Sequence, residues 1–389
     1  MTETDVPDTA GGPDQAITIG VVAESGADER RVALVPKMVE RLSKKGLRVL
    51  VAAGAGEGSY ISDDAFTEAG ATIGDPRQAD VVVGVAPPSE EEVGQLRPGT
   101  VVVGFLAPRS DAENIERLER AGVVAFAMES IPRISRAQAM DALSSQANVS
   151  GYRAVLLAAQ HLARFFPMLT TAAGTVKPAK ALVLGVGVAG LQALATAKRL
   201  GAQATGYDVR PEVADQVRSV GAQWLDLGIE AAGEGGYARE LTEEERAEQQ
   251  RRLSEATTKF DVVITTALVP GRKAPTLVTA EAVRGMRPGS VIVDLAGETG
   301  GNCELTEPGE VINAHGVTIA SPLNLPAEMP DHASELYARN IVELLELLVD
   351  SEGRLSLDGS DAIIDGACVA GKDKLKQPES PAGEEKADG

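Results

Sequence analysis

The chain has 389 residues with 43% hydrophobic and 24% charged side chains, a globular composition whose length implies two domains. Asp and Glu outnumber Lys and Arg by 57 to 37, and the resulting net charge of −20 repels the phosphates of DNA, RNA and anionic lipid. Two cysteines, Cys303 and Cys368, and three scattered histidines, His161, His315 and His332, exclude a disulfide framework and show no metal-ligand spacing.

Residues 1–16 form an acidic, polar leader without the basic start and apolar core of a signal peptide, and are expected to be disordered. From there on, apolar runs rich in Val and Ile alternate with amphipathic stretches. Strands are expected at 17–23, 47–52, 80–85, 100–106 and 123–127, with helices at 36–45, 63–69, 89–96 and 111–121 between them. Strands apolar throughout and separated by helices imply a parallel sheet covered on both faces. Over 136–166 apolar residues recur at helical spacing, interrupted near Gly151, which predicts a long helix or helix pair.

A second alternation follows, with strands at 180–184, 203–207, 261–265, 290–295 and 317–320 and helices at 188–200, 211–220 and 280–286. The longest uncharged window, 181–197, carries three glycines and falls short of the roughly 20 apolar residues of a membrane helix, so no membrane span is expected, and the sparse cysteines suit a reducing cytoplasm. Residues 231–260 are glycine-rich and then highly charged, which suits either an exposed loop and solvated helix or a closing lid. A helix at 331–348 closes the alternation and is expected to pack back on the first unit. The fold class is therefore α/β: two Rossmann-like, doubly wound parallel-sheet domains joined by long helices, one at 17–140 plus 331–350 and the other at 141–330. Residues 351–389 turn polar and are expected to be a disordered tail.

The strongest chemical signal is the turn after the strand at 180–184. Gly185, Gly187 and Gly190 stand at G-x-G-x-x-G spacing between a strand and a helix. The first permits a tight turn, the second a close approach of backbone to a pyrophosphate, and the third tight packing of helix on strand, while the helix N-terminus meets the negative charge. Asp208 ends the next strand 23 residues after Gly185, where a carboxylate accepts from an adenosine ribose and repels a 2′-phosphate. NAD is favoured over NADP, although Arg210 nearby weakens the preference.

Oxidation of an alcohol or amine moves a proton as well as a hydride and needs an acid or base beside the substrate. His161 falls among apolar residues of the linking helix, His315 in a turn and His332 at a helix start, all ordinary structural positions. Direct hydride transfer between two nicotinamide rings needs no such group, only positioning and exclusion of water. Arg133, Gln138, Asp141 and Ser144 form a polar cluster suited to ring positioning, the last three at i, i+3 steps expected to share a helix face. From the residues alone, an ordinary polar helix start is the preferred account of the cluster.

The segments RRVALVPKMVERL, GAGEGSYISDDAF, PRISRAQAMDALSSQANVSGYRAV, AAGTVKPAKALVLGVGVAGLQALATAKRLGA, GGYARE, ITTALVPGRKAP and DLAGETGGNCELTEPG resemble the NAD(H)-binding alpha subunit of proton-translocating nicotinamide nucleotide transhydrogenase, over about residues 17–348. That family is similar to alanine dehydrogenase, in which a K-V-K-E-P motif supplies a catalytic Lys and an F-L-H motif a catalytic His. Here the corresponding stretches read Val83-Gly84-Val85-Ala86-Pro87 and Phe105-Leu106-Ala107-Pro108, with neither residue, which disfavours the alternative of an alanine dehydrogenase-like oxidoreductase.

The resemblance implies that Arg133, Gln138, Asp141 and Ser144 hold the nicotinamide and its ribose, that Gly185, Val186, Gly187 and Val188 meet the pyrophosphate with Gly190 behind them, and that Asp208, Val209 and Arg210 meet the adenosine. Gly236 and Tyr237 match a mobile loop that folds over the nucleotide, and Leu268 lines the cleft. It further implies a homodimer peripheral to the membrane, bound to membrane-spanning subunits whose NADP(H)-binding domain carries the second ring and which couple hydride transfer to proton translocation. In one place the chain departs from the family: Pro326 is followed by Ala327 and Glu328 where Ser and Arg are frequent.

Overall fold

The computed structural model describes residues 16–228, 242–268, 272–350 and 352–376. The chain divides into two compact units, Met1–Ala142 with Pro330–Gly389, and Leu143–Met329. The first begins with β1 (Thr18–Val21), β2 (Arg48–Val51), β3 (Thr72–Ile73), β4 (Val81–Val83), β5 (Val101–Gly104) and β6 (Val124–Ala127). The second holds a hairpin, β7 (Leu169–Thr171) and β8 (Gly174–Val176), and then β9 (Lys180–Leu184), β10 (Gln203–Tyr207) and β11 (Gln223–Trp224). It continues through β12 (Val262–Thr265), β13 (Val291–Asp294), β14 (Val311–Ala314) and β15 (Val317–Ala320), and a last strand, β16 (Cys368–Ala370), returns to the first unit.

Each unit carries a seven-stranded sheet, ordered β16-β6-β5-β4-β1-β2-β3 in the first and β11-β10-β9-β12-β13-β15-β14 in the second. All pairings in both are parallel except at one edge, where β16 runs against β6 and β14 against β15. Central strands such as β4, β5, β12 and β13 are buried at every residue, as a sheet covered on both faces requires. Strand order reverses beside the first strand of each seven-stranded sheet, between β1 and β4 and between β9 and β12. Connections leave in opposite directions there, which opens a crevice at the carboxyl edge of the sheet.

The Pro330–Leu348 helix packs into the first unit's core. Its Tyr337, Ile341, Leu344 and Leu345 are wholly buried among Leu34, Leu42 and Phe126. Arg41 and Lys45 reach across to Glu343 and Glu346 on its outer face.

Three expectations are corrected. The tail is ordered over 352–376: Asp361 caps a helix at Ala362–Ala367 that buries Ile363 and Ile364, and β16 then adds an edge strand to the first sheet. Gly151 does not interrupt the linking helix, which runs unbroken from Ala142 to His161. A Cβ at Gly151 would fall on the Ala189 carbonyl oxygen, so the glycine serves helix-on-helix contact rather than a break. The shared helix face for Gln138, Asp141 and Ser144 does not form either. Ser135–Met140 is a 3-10 turn, Asp141 leaves helical geometry at ψ 82°, and Ser144 follows on the α-helix in the other unit.

Candidate functional site

The glycine turn of the second unit is built by its three glycines in different ways. Gly185 sits at φ +88°, where side chains are disfavoured, and a Cβ there would stand 3.0 Å from the Ala267 amide nitrogen and the Thr266 hydroxyl. A Cβ at Gly190 would fall on the Gly185 carbonyl, so helix and strand could not close up. Thr266 Oγ1 donates to that same carbonyl at 2.8 Å and ties the end of β12 to the turn. At Gly187 an added Cβ meets no chain atom within 4 Å. Gly187 is also the N-cap of the Val188–Arg199 helix and no side chain caps it, so the first-turn amides face outward past exposed Gly187 and Val188, while Val186 beside them is buried.

Asp208 lies just past β10, 8% exposed, and braces this turn from the side. Its Oδ2 accepts from the Val186 amide at 2.8 Å and from Arg210 Nη2 at 2.9 Å, and its Oδ1 from the Arg210 amide and Nε. Burial pushes the carboxyl upward, but the Arg210 guanidinium and the Val186 amide outweigh it, and Asp208 titrates below the ordinary carboxylate range. The Arg210 expected to weaken the cofactor preference is thus the partner of Asp208 itself. A small cavity opens beside them, lined by Asp208, half-buried Val209, Pro211, Trp224 and Asp226. Tyr207 stacks on Trp224 with ring centroids 6.4 Å apart, and its hydroxyl accepts from Gln249. Pro211, Trp224 and Asp226 were not among the expected residues, because β11 is too short to show as a strand in the sequence.

The carboxyl ends of β12 and β13 are held by two buried polar groups. Asn302 accepts from the Ala267 amide and donates back to the Ala267 and Pro275 carbonyls. Asp294 accepts from Thr265 and Thr306 hydroxyls and from the amides of Ala296 and Cys303. Leu268 extends from this braced edge and is 52% exposed. Gly236 and Tyr237, the expected lid, lie outside the described residues. Glu328, one of the residues at which the sequence departs from the family, forms an ion pair at 2.7 Å with Arg153 of the linking helix, and Ala327 beside it is buried.

In the first unit, Arg133 and Gln138 are exposed and Asp141 is half-buried, all within the segment around the 3-10 turn. That turn is held from two sides: Asn340 donates to the Ala139 carbonyl at 2.8 Å, and Arg136 makes a two-pronged ion pair with Asp361 at 2.9 and 2.7 Å. Ser144 is half-buried on the helix of the second unit. His161 is half-buried, and His315, at φ +57°, and His332 are exposed.

At the strand ends of this sheet the positions lacking Lys and His are fastened by carboxylates. Glu24 accepts from the Val85 and Ala86 amides at 2.6 and 3.1 Å, and Glu129 Oε1 from the Leu106 and Ala107 amides at 2.9 and 2.6 Å. Burial raises both carboxyls, Glu24 to about 7. Neither glutamate was singled out in the sequence, where nothing distinguishes them among 57 acidic residues.

The family described as alanine dehydrogenase/PNT matches this chain twice, its N-terminal domain over residues 20–150 and its C-terminal domain over 154–378. An NAD(P) transhydrogenase subunit alpha polypeptide of Rhodospirillum rubrum is 44% identical over 375 residues, covering 92% of this chain and 98% of that protein. Alanine dehydrogenase of Bacillus subtilis is 32% identical over 349 residues, 86% of each chain. Among solved structures, the transhydrogenase from Sinorhizobium meliloti superposes with a TM-score of 0.83 at 44% identity, over 91% of this chain and 98% of that one.

Proposed function

The chain belongs to the alanine dehydrogenase/PNT family, and on that premise we propose that it is the NAD(H)-binding subunit of a transhydrogenase, passing hydride between NAD(H) held here and NADP(H) held by a partner subunit. The observation that carries this reading is Gly187. Of the three glycines in the turn it alone has no need to be glycine on account of its own chain, and the uncapped helix start beside it is what a pyrophosphate requires. NAD(H) bound there supplies the hydride; the protein's own residues place it.

In this reading the amides from Gly185 to Val188 bind the pyrophosphate, and Gly190 lets their helix close on the sheet. Asp208 holds the Val186 amide in place and exchanges one of its hydrogen bonds from Arg210 for one from a ribose hydroxyl, with Val209 and Arg210 flanking the adenosine. Arg133, Gln138, Asp141 and Ser144 orient the nicotinamide and its ribose, Leu268 shields the cleft from water, and Gly236 and Tyr237 close over it. Transfer from ring to ring needs no proton donor at the strand ends, which agrees with Val83, Val85 and Ala107 standing where the Lys and His motifs would place them.

No helix among the described residues is long and apolar enough to cross a membrane. Coupling to proton translocation accordingly falls to membrane-spanning partner subunits, with this subunit peripheral on the cytoplasmic face. A homodimer is supported by the β7–β8 hairpin, whose surroundings expose Phe165, Met168, Leu169 and Val176 together in sequence.

The test is stopped-flow hydride transfer from NADH to NADP+ with the purified chain, alone and mixed with a transhydrogenase NADP(H)-binding domain, and alanine with NAD+ in parallel. Rapid transfer only in the mixture is expected. Turnover of alanine without transfer would overturn the proposal in favour of an amino-acid oxidoreductase.

A further inference from the structure

The first unit contains a cavity of about 280 Å3, larger than the one beside Asp208, and the function proposed above makes no use of it. It lies at the carboxyl edge of the first sheet where β1 and β4 part. Residues 22–25 after β1 and Gly84 and 86–88 after β4 both line it, the place in a doubly wound sheet where connections diverge and leave room for a ligand. Its wall is mostly hydrocarbon, from Val22, Ala52, Val82, Val102 and Leu106. Its charged lining is unbalanced: Glu24, Asp75 and Glu92 against Arg77.

Those four groups are not equally available. Arg77 donates Nε to Asp75 at 2.6 Å and Nη1 to Gln95, so its charge is matched within the wall. Glu92 accepts from the Ser89 amide and hydroxyl and from Ser25. Glu24 has one backbone amide on each oxygen, which leaves acceptor capacity on both, since a carboxylate offers about four acceptor sites. We propose that this cavity is a binding site for a small apolar amine, its hydrocarbon body against the valines and its ammonium on the Glu24 carboxylate. A carboxylic acid of the same shape would bring a second negative charge against Glu24 in a poorly solvated space, so anions are selected against.

The ionisation of Glu24 gives this site a signature that an ordinary apolar cavity lacks. Burial is the largest influence and lifts the carboxyl to about 7; the amides of Val85 and Ala86 and the charge of Arg31 oppose it, and Glu29 adds to it. Tyr337 of the Pro330–Leu348 helix also interacts with Glu24, and Asp75, Arg77 and Glu92 complete the charged surroundings. An ammonium, protonated up to about pH 10, binds the ionised carboxylate and displaces its proton. Affinity therefore rises with pH through 7.

The experiment titrates the full chain with cyclohexylamine, cyclohexanol and cyclohexanecarboxylate by calorimetry at pH 6 and pH 8, without nucleotide. The amine is expected to bind about tenfold or more tightly than the alcohol at pH 8, to lose about that factor at pH 6 with proton release on binding, and the acid is expected not to bind. Glu24→Gln, which keeps the shape and an acceptor for the backbone, should bring amine and alcohol to equal affinity. Val102→Phe, which fills the cavity, should abolish both, with circular dichroism showing the fold intact. Equal binding of amine and alcohol in the unmodified chain, an amine affinity unchanged by Glu24→Gln, or no amine binding at about 50 mM, far above an ordinary weak Kd, would each overturn the proposal.

Discussion

The two sheets share a strand count and a reversal of order beside their first strand, yet the groups at their carboxyl edges differ: backbone amides at one, a half-buried carboxylate at the other. After β9 the chain turns through Gly185 and enters a helix at Val188, so uncapped amides meet the crevice within four residues of the strand. After β1 the chain places Glu24 there instead, and no helix starts until Pro36. The architecture supplies a crevice in both cases, and what occupies the first few positions beyond the strand sets the charge of the groups that face it. Fold resemblance between the units therefore predicts the location of a site and not its chemistry.

The strongest attack on this contrast is on the glycine turn itself. Gly190→Val should cost about 3 kcal/mol or more of stability, because the new side chain forces helix from strand, and NADH binding should be lost with it; thermal unfolding and fluorescence titration check both. Gly187→Val separates the ligand's requirement from the chain's. Its melting temperature should stay near that of the unmodified protein while NADH affinity falls by about tenfold or more, and a large loss of stability would show that the glycine serves the fold after all.

Asp208→Ala should weaken NADH binding by about tenfold, since it frees the Val186 amide as well as removing a ribose acceptor, and unchanged affinity would count against both roles. The native carboxyl is held below its ordinary range, so its stabilising contribution is full above the unfolded value near 4 and fades as pH falls through the native one. Acid unfolding of Asp208→Asn should accordingly lack that component of the decline.

Gln138→Asn bears on the segment that the tail braces. Hydride transfer should slow by about tenfold with NADH affinity nearly unchanged, because the shorter amide shifts the ring and leaves the adenosine alone; a binding loss with normal transfer would contradict this. The smallest effect is expected at the other edge. Glu24 is raised in the folded state, so the stability it contributes is full below the unfolded value near 4.5 and is lost as pH rises through about 7. The melting temperature of the unmodified chain should therefore fall by a few degrees from pH 5 to pH 8 relative to Glu24→Gln, and parallel curves would remove the distinction between the two edges.

Much of this was legible in the amino-acid order because its signals are local. Val-rich runs such as 81–83 and 101–104 belong to strands buried on both faces, and periodicity exposes them directly. The triplet Gly185, Gly187 and Gly190 is legible for the same reason, since a turn between adjacent elements is specified by adjacent residues. Two-residue strands such as β3 and β11 escape, having no period to read. The run from Ala362 to Ala370 escaped differently: its apolar residues are set in a polar, Pro- and Lys-containing stretch, and average composition hid the helix and strand that Asp361 and β6 make of it.

The sequence by itself determined the α/β class and the glycine-rich turn between strand and helix, both of which depend on near neighbours or on residue identity. Only the tertiary structure decided which glutamates among many are buried, that Gly151 answers to Ala189 rather than to a helix break, and that Arg136 and Asp361, 225 positions apart, hold the turn near Gln138. Those outcomes depend on burial and on contacts between distant segments, and burial becomes a property of a residue only once the sheets have formed around it.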